Sequence, residues 1–216
     1  MRLLLVSATV FEIAPFLKEI NASVEDKIIS THNYQSHQID VLLTGVGTTH
    51  TAFYLGKYLS TKYDVAINAG ICGNFTNKLA IGDVVCIDED CFADLGAEDD
   101  ETFLSLEELK LPGTYSLKNE NSFSHVSFTN LPNVKGVTVN TTHGNTQSIE
   151  KFIQRTNADV ESMEGAAFLF ACNQYKVKCV QLRSISNYVE KRDRSKWNIA
   201  LAIDNLNKVL IDFIHQ

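Results

Sequence analysis

Arginine is nearly missing from the first two-thirds of this 216-residue chain: after Arg2 none occurs until Arg155, followed by Arg183, Arg192 and Arg194. That stretch therefore lacks the planar fork that grips phosphate or carboxylate through paired hydrogen bonds. A formal net charge of -7 argues against a nucleic-acid partner, since such binding draws most of its affinity from clustered Lys and Arg. The five cysteines include no C-x-x-C pair and no secretory leader precedes them, so reduced thiols in the cytosol are expected. The opening apolar run Leu3–Val6 meets Glu12 and Pro15 long before the ~20 residues a membrane span needs, and no membrane partner is expected. No G-x-S-x-G elbow and no H-E-x-x-H occurs, and the six histidines are scattered, so no serine triad, catalytic metal or cofactor is expected. Internal repeats and heptads are also absent.

What remains is an ordinary globular composition, 44% hydrophobic and 21% charged, enough to bury a core. The length fits one domain over 1–216. Leu3–Val6, Ile39–Leu43 and Val65–Ile67 are apolar without alternation and each ends in small residues, the pattern of parallel strands covered on both faces. Helical patterns lie at Glu12–Ile20, Thr49–Leu59, Thr146–Gln154, Glu164–Asn173 and Asn198–Ile214, and further strands start at Gly82, Gly136 and Cys179. This alternation predicts an α/β fold, a three-layer αβα arrangement around a central mixed, mostly parallel sheet. The acidic, turn-rich region from Asp88 to Asn133 reads as an excursion from it. Such sheets bind ligands beyond the carboxyl ends of their strands, which directs attention to the loops at Ala8–Glu12, Gly45–Thr48, Asn68–Gly73 and Ser186–Tyr188.

Glu12 follows the first strand at a helix start, where a carboxylate ordinarily just complements the macrodipole. In Glu161-Ser162-Met163-Glu164-Gly165-Ala166-Ala167, read as a helix start, Met163 beside Glu164 pairs an apolar platform with an acceptor, a combination suited to a sugar's face and hydroxyls. Asn187 ends a strand, where an amide often serves only the turn. Gly45-Val46-Gly47 opens like a dinucleotide fingerprint, but His50 stands where the third glycine belongs. Asn68-Ala69-Gly70-Ile71-Cys72-Gly73 reads as a Gly-rich turn whose N–H groups face a ligand oxygen or nothing at all. His143 either lines a pocket or is an exposed loop histidine.

Taken in order, Ser7–Glu12, Thr44–Gly47, Ile67–Gly73, Gly82-Asp83-Val84-Val85 and Glu161–Ala167 resemble the nucleoside phosphorylase and 5′-methylthioadenosine nucleosidase superfamily over nearly the whole chain. Three further stretches are similar to the futalosine hydrolase family of menaquinone biosynthesis: Phe92–Glu98, Val160–Ala167, and Ile185–Val189 with Arg192–Trp197.

The resemblance implies a purine nucleosidase acting on a small-molecule nucleoside, and a homodimer or higher homo-oligomer. Glu12 would activate water, Glu164 bind the ribose hydroxyls with Met163 on the sugar, and Ala69 and Gly70 lie against ribose or base. Thr142, His143, Gly144 and Trp197 would line or rim the pocket. Adenine-releasing members carry an acid where this chain has Asn187. An amide has no proton to give N7 but matches a 6-oxopurine at two points, which implies hypoxanthine as the leaving base. A 5′-methylthioadenosine or S-adenosylhomocysteine nucleosidase shares both glutamates but should carry the acid, and a non-catalytic nucleoside-binding protein needs no Glu12. Phosphorylases of the superfamily draw phosphate-binding arginines largely from the first half of the chain, where this sequence offers only Arg2. Hydrolysis is therefore expected over phosphorolysis.

Overall fold

The computed structural model describes residues 1–24 and 27–216. Strand β1 (Arg2–Ser7) sends Leu3 and Leu5 into one core and Leu4 and Val6 into another, so its unbroken apolar run reflects burial on both faces. A 3-10 turn, Val10–Ile13, leads into α1 (Ala14–Glu19), which carries Pro15 in its first turn, where a missing N–H costs nothing. Then come β2 (Ile29–Tyr34), β3 (His37–Leu43), α2 (Thr48–Tyr58), β4 (Val65–Asn74) and β5 (Val84–Cys91). A small hairpin of β6 (Gly96–Asp99) and β7 (Thr102–Ser105) precedes β8 (Ser116–Lys118) and β9 (Asn133–Thr138). The chain closes with α3 (Thr146–Thr156), β10 (Val160–Ser162), α4 (Gly165–Tyr175), β11 (Cys179–Tyr188) and α5 (Ile199–Ile214).

The central sheet runs β10-β9-β5-β11-β4-β1-β3-β2, with β8 paired to β5. Its interior pairs β1 with β3 and β4, β4 with β11, and β5 with β9 in parallel, while β2, β8 and the β5–β11 contact are antiparallel. Phe16 of α1 and Leu206, Leu210 and Phe213 of α5 cover one face. Leu55 of α2 and Phe168 and Leu169 of α4 cover the other. The architecture is thus the α/β one expected, a mostly parallel sheet between helical layers. Strand β10 pairs in parallel with β9 and antiparallel with β4, so β4, β11, β5, β9 and β10 close into a ring. This closure positions the site.

Three local readings need correction. The stretch Asn68–Gly73 is no turn: it continues β4 beside β11. Its glycines answer to crowding, since a Cβ on Gly73 would stand 2.7 Å from Val189 Cγ2. Glu161 does not begin a helix but lies in β10, with α4 starting only at Gly165. In the supposed excursion, Asp88–Cys91 complete β5 and β8 returns to pair with it, while β6 and β7 form a separate two-stranded sheet.

Candidate active site

A cavity of about 320 Å³ lies beyond the carboxyl ends of β1, β4, β10 and β11, and Glu12, Met163, Glu164 and Asn187 all line it, with Thr142, His143 and Trp197. Glu12 is held from two directions. Its Oε2 accepts from Thr9 N at 3.0 Å and Thr9 Oγ1 at 2.9 Å, the local bonds of a helix start. Its Oε1 reaches across to accept from Ile71 N on β4 at 3.1 Å. A Cβ on Gly70 would sit 2.9 Å from that Oε1 and 3.6 Å from the Arg183 guanidinium carbon. Glycine there keeps the space that carboxylate and guanidinium occupy together.

Glu164 stands just before α4, and its Oε1 accepts from Gly47 N at 3.0 Å. Gly47 has φ +101°, a conformation L side chains rarely adopt, so the second glycine of Gly45-Val46-Gly47 serves a carboxylate rather than a dinucleotide. Arg183, 1% exposed, places Nη2 3.9 Å from Glu164 Oε2 while the same group donates to Asn68 Oδ1 at 2.5 Å. Burial pushes the Glu164 carboxyl above its usual range; Arg183 and the Gly47 N–H pull the other way, and the Glu12 charge adds to the rise. The two carboxylates therefore feel each other across the cavity floor.

Asn187 owes its direction to an irregularity. The β11–β4 register pairs Ile185 with Cys72 and Asn187 with Gly73, leaving Ser186 as the extra residue, and a bulge of this kind re-aims the following side chain. Asn187 Nδ2 donates to Tyr188 O at 2.9 Å, and Ser186 Oγ lies 2.8 Å from Asn187 Oδ1. One N–H of the amide and one lone pair of its oxygen stay available to a ligand.

Ala69, Gly70 and Gly144 do not reach the cavity wall. Ala69 is packed in the core with Leu5 and Ile67, because strand alternation turns it from the side that Glu12 covers. Gly70 acts beneath Glu12, as described. Gly144 lines a neighbouring hollow and receives Arg192 N on its carbonyl at 3.3 Å. The sequence reading missed Arg183, Ser186 and Glu161. The first had a legible signal, the one charged residue of the strand Cys179–Tyr188. Glu161 is 4% exposed; its Oε1 accepts from His143 N at 3.1 Å, and its Oε2 lies 2.7 Å from His143 Nδ1. Among the described residues no group of three His, Cys, Asp or Glu side chains is placed to hold a metal, and no helix is long and apolar enough to cross a membrane.

The phosphorylase superfamily model matches residues 2–215. A futalosine hydrolase of Acidothermus cellulolyticus is 32% identical over 175 residues, covering 77% of this chain and 71% of that protein. In fold, the chain superposes on the futalosine hydrolase of Helicobacter pylori with a TM-score of 0.81 at 16% identity, covering 100% of this chain and 97% of the other. The 5′-methylthioadenosine/S-adenosylhomocysteine nucleosidase of the same organism gives an identical score of 0.81 at 16% identity, covering 100% of this chain and 98% of the other. These two structures show the fold and do not separate the activities. Full-length agreement with the family model and a relative at nearly one-third identity establish that this chain belongs to the phosphorylase superfamily, as an N-glycosyl hydrolase.

Proposed function

We propose that the whole chain acts as one domain that hydrolyses the N-ribosidic bond of futalosine, releasing hypoxanthine and dehypoxanthine futalosine, a step of menaquinone biosynthesis. The observation that carries this reading is the convergence of Glu12, Glu164 and Asn187 on one cavity, with an amide where adenine-releasing nucleosidases carry an acid. The futalosine hydrolases among its relatives support it.

Breaking C1′–N9 leaves positive charge on the sugar, while N9 keeps the bonding electron pair. Glu12 takes a proton from water as the water oxygen bonds C1′, a general-base role worth ~10²–10⁴-fold. Glu164 accepts from the ribose 2′- and 3′-hydroxyls, and Met163 packs on the sugar. The base leaves as an anion and takes a proton at N7 from water, since the amide has none to give; Asn187 then donates to O6 and accepts from N7–H, a two-point match to a 6-oxopurine. Water is the acceptor rather than phosphate, because Arg2 is engaged by Asp40 at 3.5 Å and lies over the Tyr63 ring, Arg183 is committed to Asn68 and Glu164, and Arg192, which lines the cavity, lies over the Trp197 ring. Phe11 and Val46, which line the cavity while 75% and 49% exposed, suit a rim completed by a second copy.

The test is to incubate the protein with futalosine and, separately, with 5′-methylthioadenosine, with and without phosphate, and to follow the free base by chromatography. Hypoxanthine released from futalosine at a rate indifferent to phosphate is expected. Faster adenine release from 5′-methylthioadenosine would favour the adenine-nucleosidase reading, and binding without release would leave only a nucleoside-binding protein.

A further inference from the structure

Water, sugar and base occupy Glu12, Met163, Glu164 and Asn187, and leave one stretch of the cavity wall without a role: Phe11, Arg192, Trp197, Ile199 and Ile203. Ile199 and Ile203 stand one turn apart at the start of α5, so their side chains share a face. With Trp197 and Phe11 they make an apolar wall suited to a flat ring.

The segment between β11 and α5 that carries Arg192 and Trp197 is tied down at three places. Val189 N donates to Asn74 O at 2.8 Å, Arg192 N to Gly144 O at 3.3 Å and Asn198 N to Ser186 O at 2.9 Å. A Cβ on Gly144 would stand 3.3 Å from Arg192 Cβ, so the glycine lets this segment lie close. Its carboxylates are already used. Glu190 pairs with Lys196 at 2.7 Å, and Asp193 accepts from Ser195 N and Oγ. The guanidinium carbons of Arg192 and Arg194 lie 5.1 and 5.9 Å from the centroid of the Trp197 ring, and among the described residues neither arginine forms an ion pair.

A guanidinium stacked by its face keeps its N–H edge for a planar acceptor, and a carboxylate fits that edge with two hydrogen bonds. Arg192 is also the one Lys or Arg among the described residues of a wall that carries three carboxylates, Glu12, Glu161 and Glu164. That wall repels an anionic substituent everywhere except at this cation. Exposed at the mouth, Arg192 suits the far end of a substrate rather than a nucleophile beside Glu12.

We propose that Arg192 is a specificity-determining residue that binds the carboxylate of a nucleoside whose 5′ substituent ends in an acidic aromatic ring, with Trp197, Ile199 and Ile203 packing on that ring. The proposal rests on the nucleosidase reading and deepens it, since futalosine, whose 5′ chain ends in a benzoate, is a substrate of this class.

The test compares futalosine with its methyl ester, which keeps base, ribose and ring but removes the charge, on wild type and on Arg192→Met. Wild type should show a kcat/KM for the acid about tenfold or more above that for the ester, the value of one hydrogen bond to a charged group. Arg192→Met should bring that ratio close to one, because its side chain keeps the apolar stem and loses the cation. An acid-over-ester ratio that is the same in both proteins overturns the proposal. Should the variant not fold, equal wild-type values for acid and ester overturn it instead. If wild type hydrolyses neither compound, the proposed function fails, and calorimetric affinities for the same pair decide the tail site by the same ratio. Hydrolysis of acid and ester alike removes the tail site and leaves the proposed function standing.

Discussion

Replacing Asp90 by Asn should make the stability of this protein less sensitive to pH, by an amount the structure supplies. Asp90 is 1% exposed and sits where β5, β9, β11 and the start of α4 meet. Its Oδ1 accepts from Thr138 Oγ1 at 2.9 Å and from Cys91 N at 2.8 Å, and its Oδ2 from Gln181 Nε2 at 2.9 Å. Thr138 Oγ1 in turn accepts from Ala166 N at 2.8 Å, tying the carboxyl to the helix that carries Glu164. Burial raises the Asp90 carboxyl from 3.8 to about 6, although its hydrogen bonds and Arg183 oppose the rise. At ~1.36 kcal/mol per pH unit this amounts to about 3 kcal/mol. The folded protein keeps a proton that the unfolded chain has already lost, so the contribution is fully present below about pH 4 and disappears as pH rises through about 6. Asn resembles the protonated form and cannot ionise. It can also donate to Gln181 Oε1, which has no partner in the wild type, once the Gln181 amide rotates. Urea unfolding of both proteins, followed by Trp197 fluorescence and circular dichroism, should show the Asn variant gaining about 3 kcal/mol relative to wild type between about pH 4 and about pH 7.5. Stability curves that run parallel over that range would show that burial does not govern this carboxyl.

Glu12→Gln should keep the fold and lower turnover by ~10²–10⁴-fold, read as hypoxanthine release under saturating nucleoside; near-wild-type turnover would remove its water-activating role. Asn187→Asp should raise the adenine-to-hypoxanthine ratio of kcat/KM by about tenfold or more, the value of one charged hydrogen bond, and an unchanged ratio in paired substrate assays would count against base recognition there. Arg183→Met removes the cation that opposes the burial-driven rise of the Glu164 carboxyl. The acid limb of the kcat/KM profile, set by loss of the Glu164 charge, should therefore move to higher pH, and a limb that stays in place would mean that Glu164 need not be ionised.

The sites differ in how visible they were along the chain. Glu12 and Glu164 stood next to recognisable punctuation, a strand end before a helix and a Met-Glu pair before small residues. Those cues are local, and the structure carries both residues to one cavity. Glu161 had no such cue, because its meaning comes from β10 pairing with β4 and β9 at once, contacts between segments far apart in sequence. Ala69 and Gly70 part company for a related reason: Ala69 packs in the core and Gly70 lies beneath Glu12. Strand alternation sends adjacent residues to opposite faces, and only the register says which face meets the ligand.

From the residues alone follow the alternation of strands and helices, the two-sided burial of β1, the shortage of arginine for binding phosphate, and the amide at position 187. These are properties of composition and short-range pattern, where side-chain chemistry acts on its own neighbourhood. The folded chain alone decided the ring of β4, β11, β5, β9 and β10, the bulge at Ser186 that turns Asn187, and the pairing of both Asn187 and Glu161 with Gly73. Register and closure are set by the summed packing of distant segments, and no single stretch of the chain contains that sum.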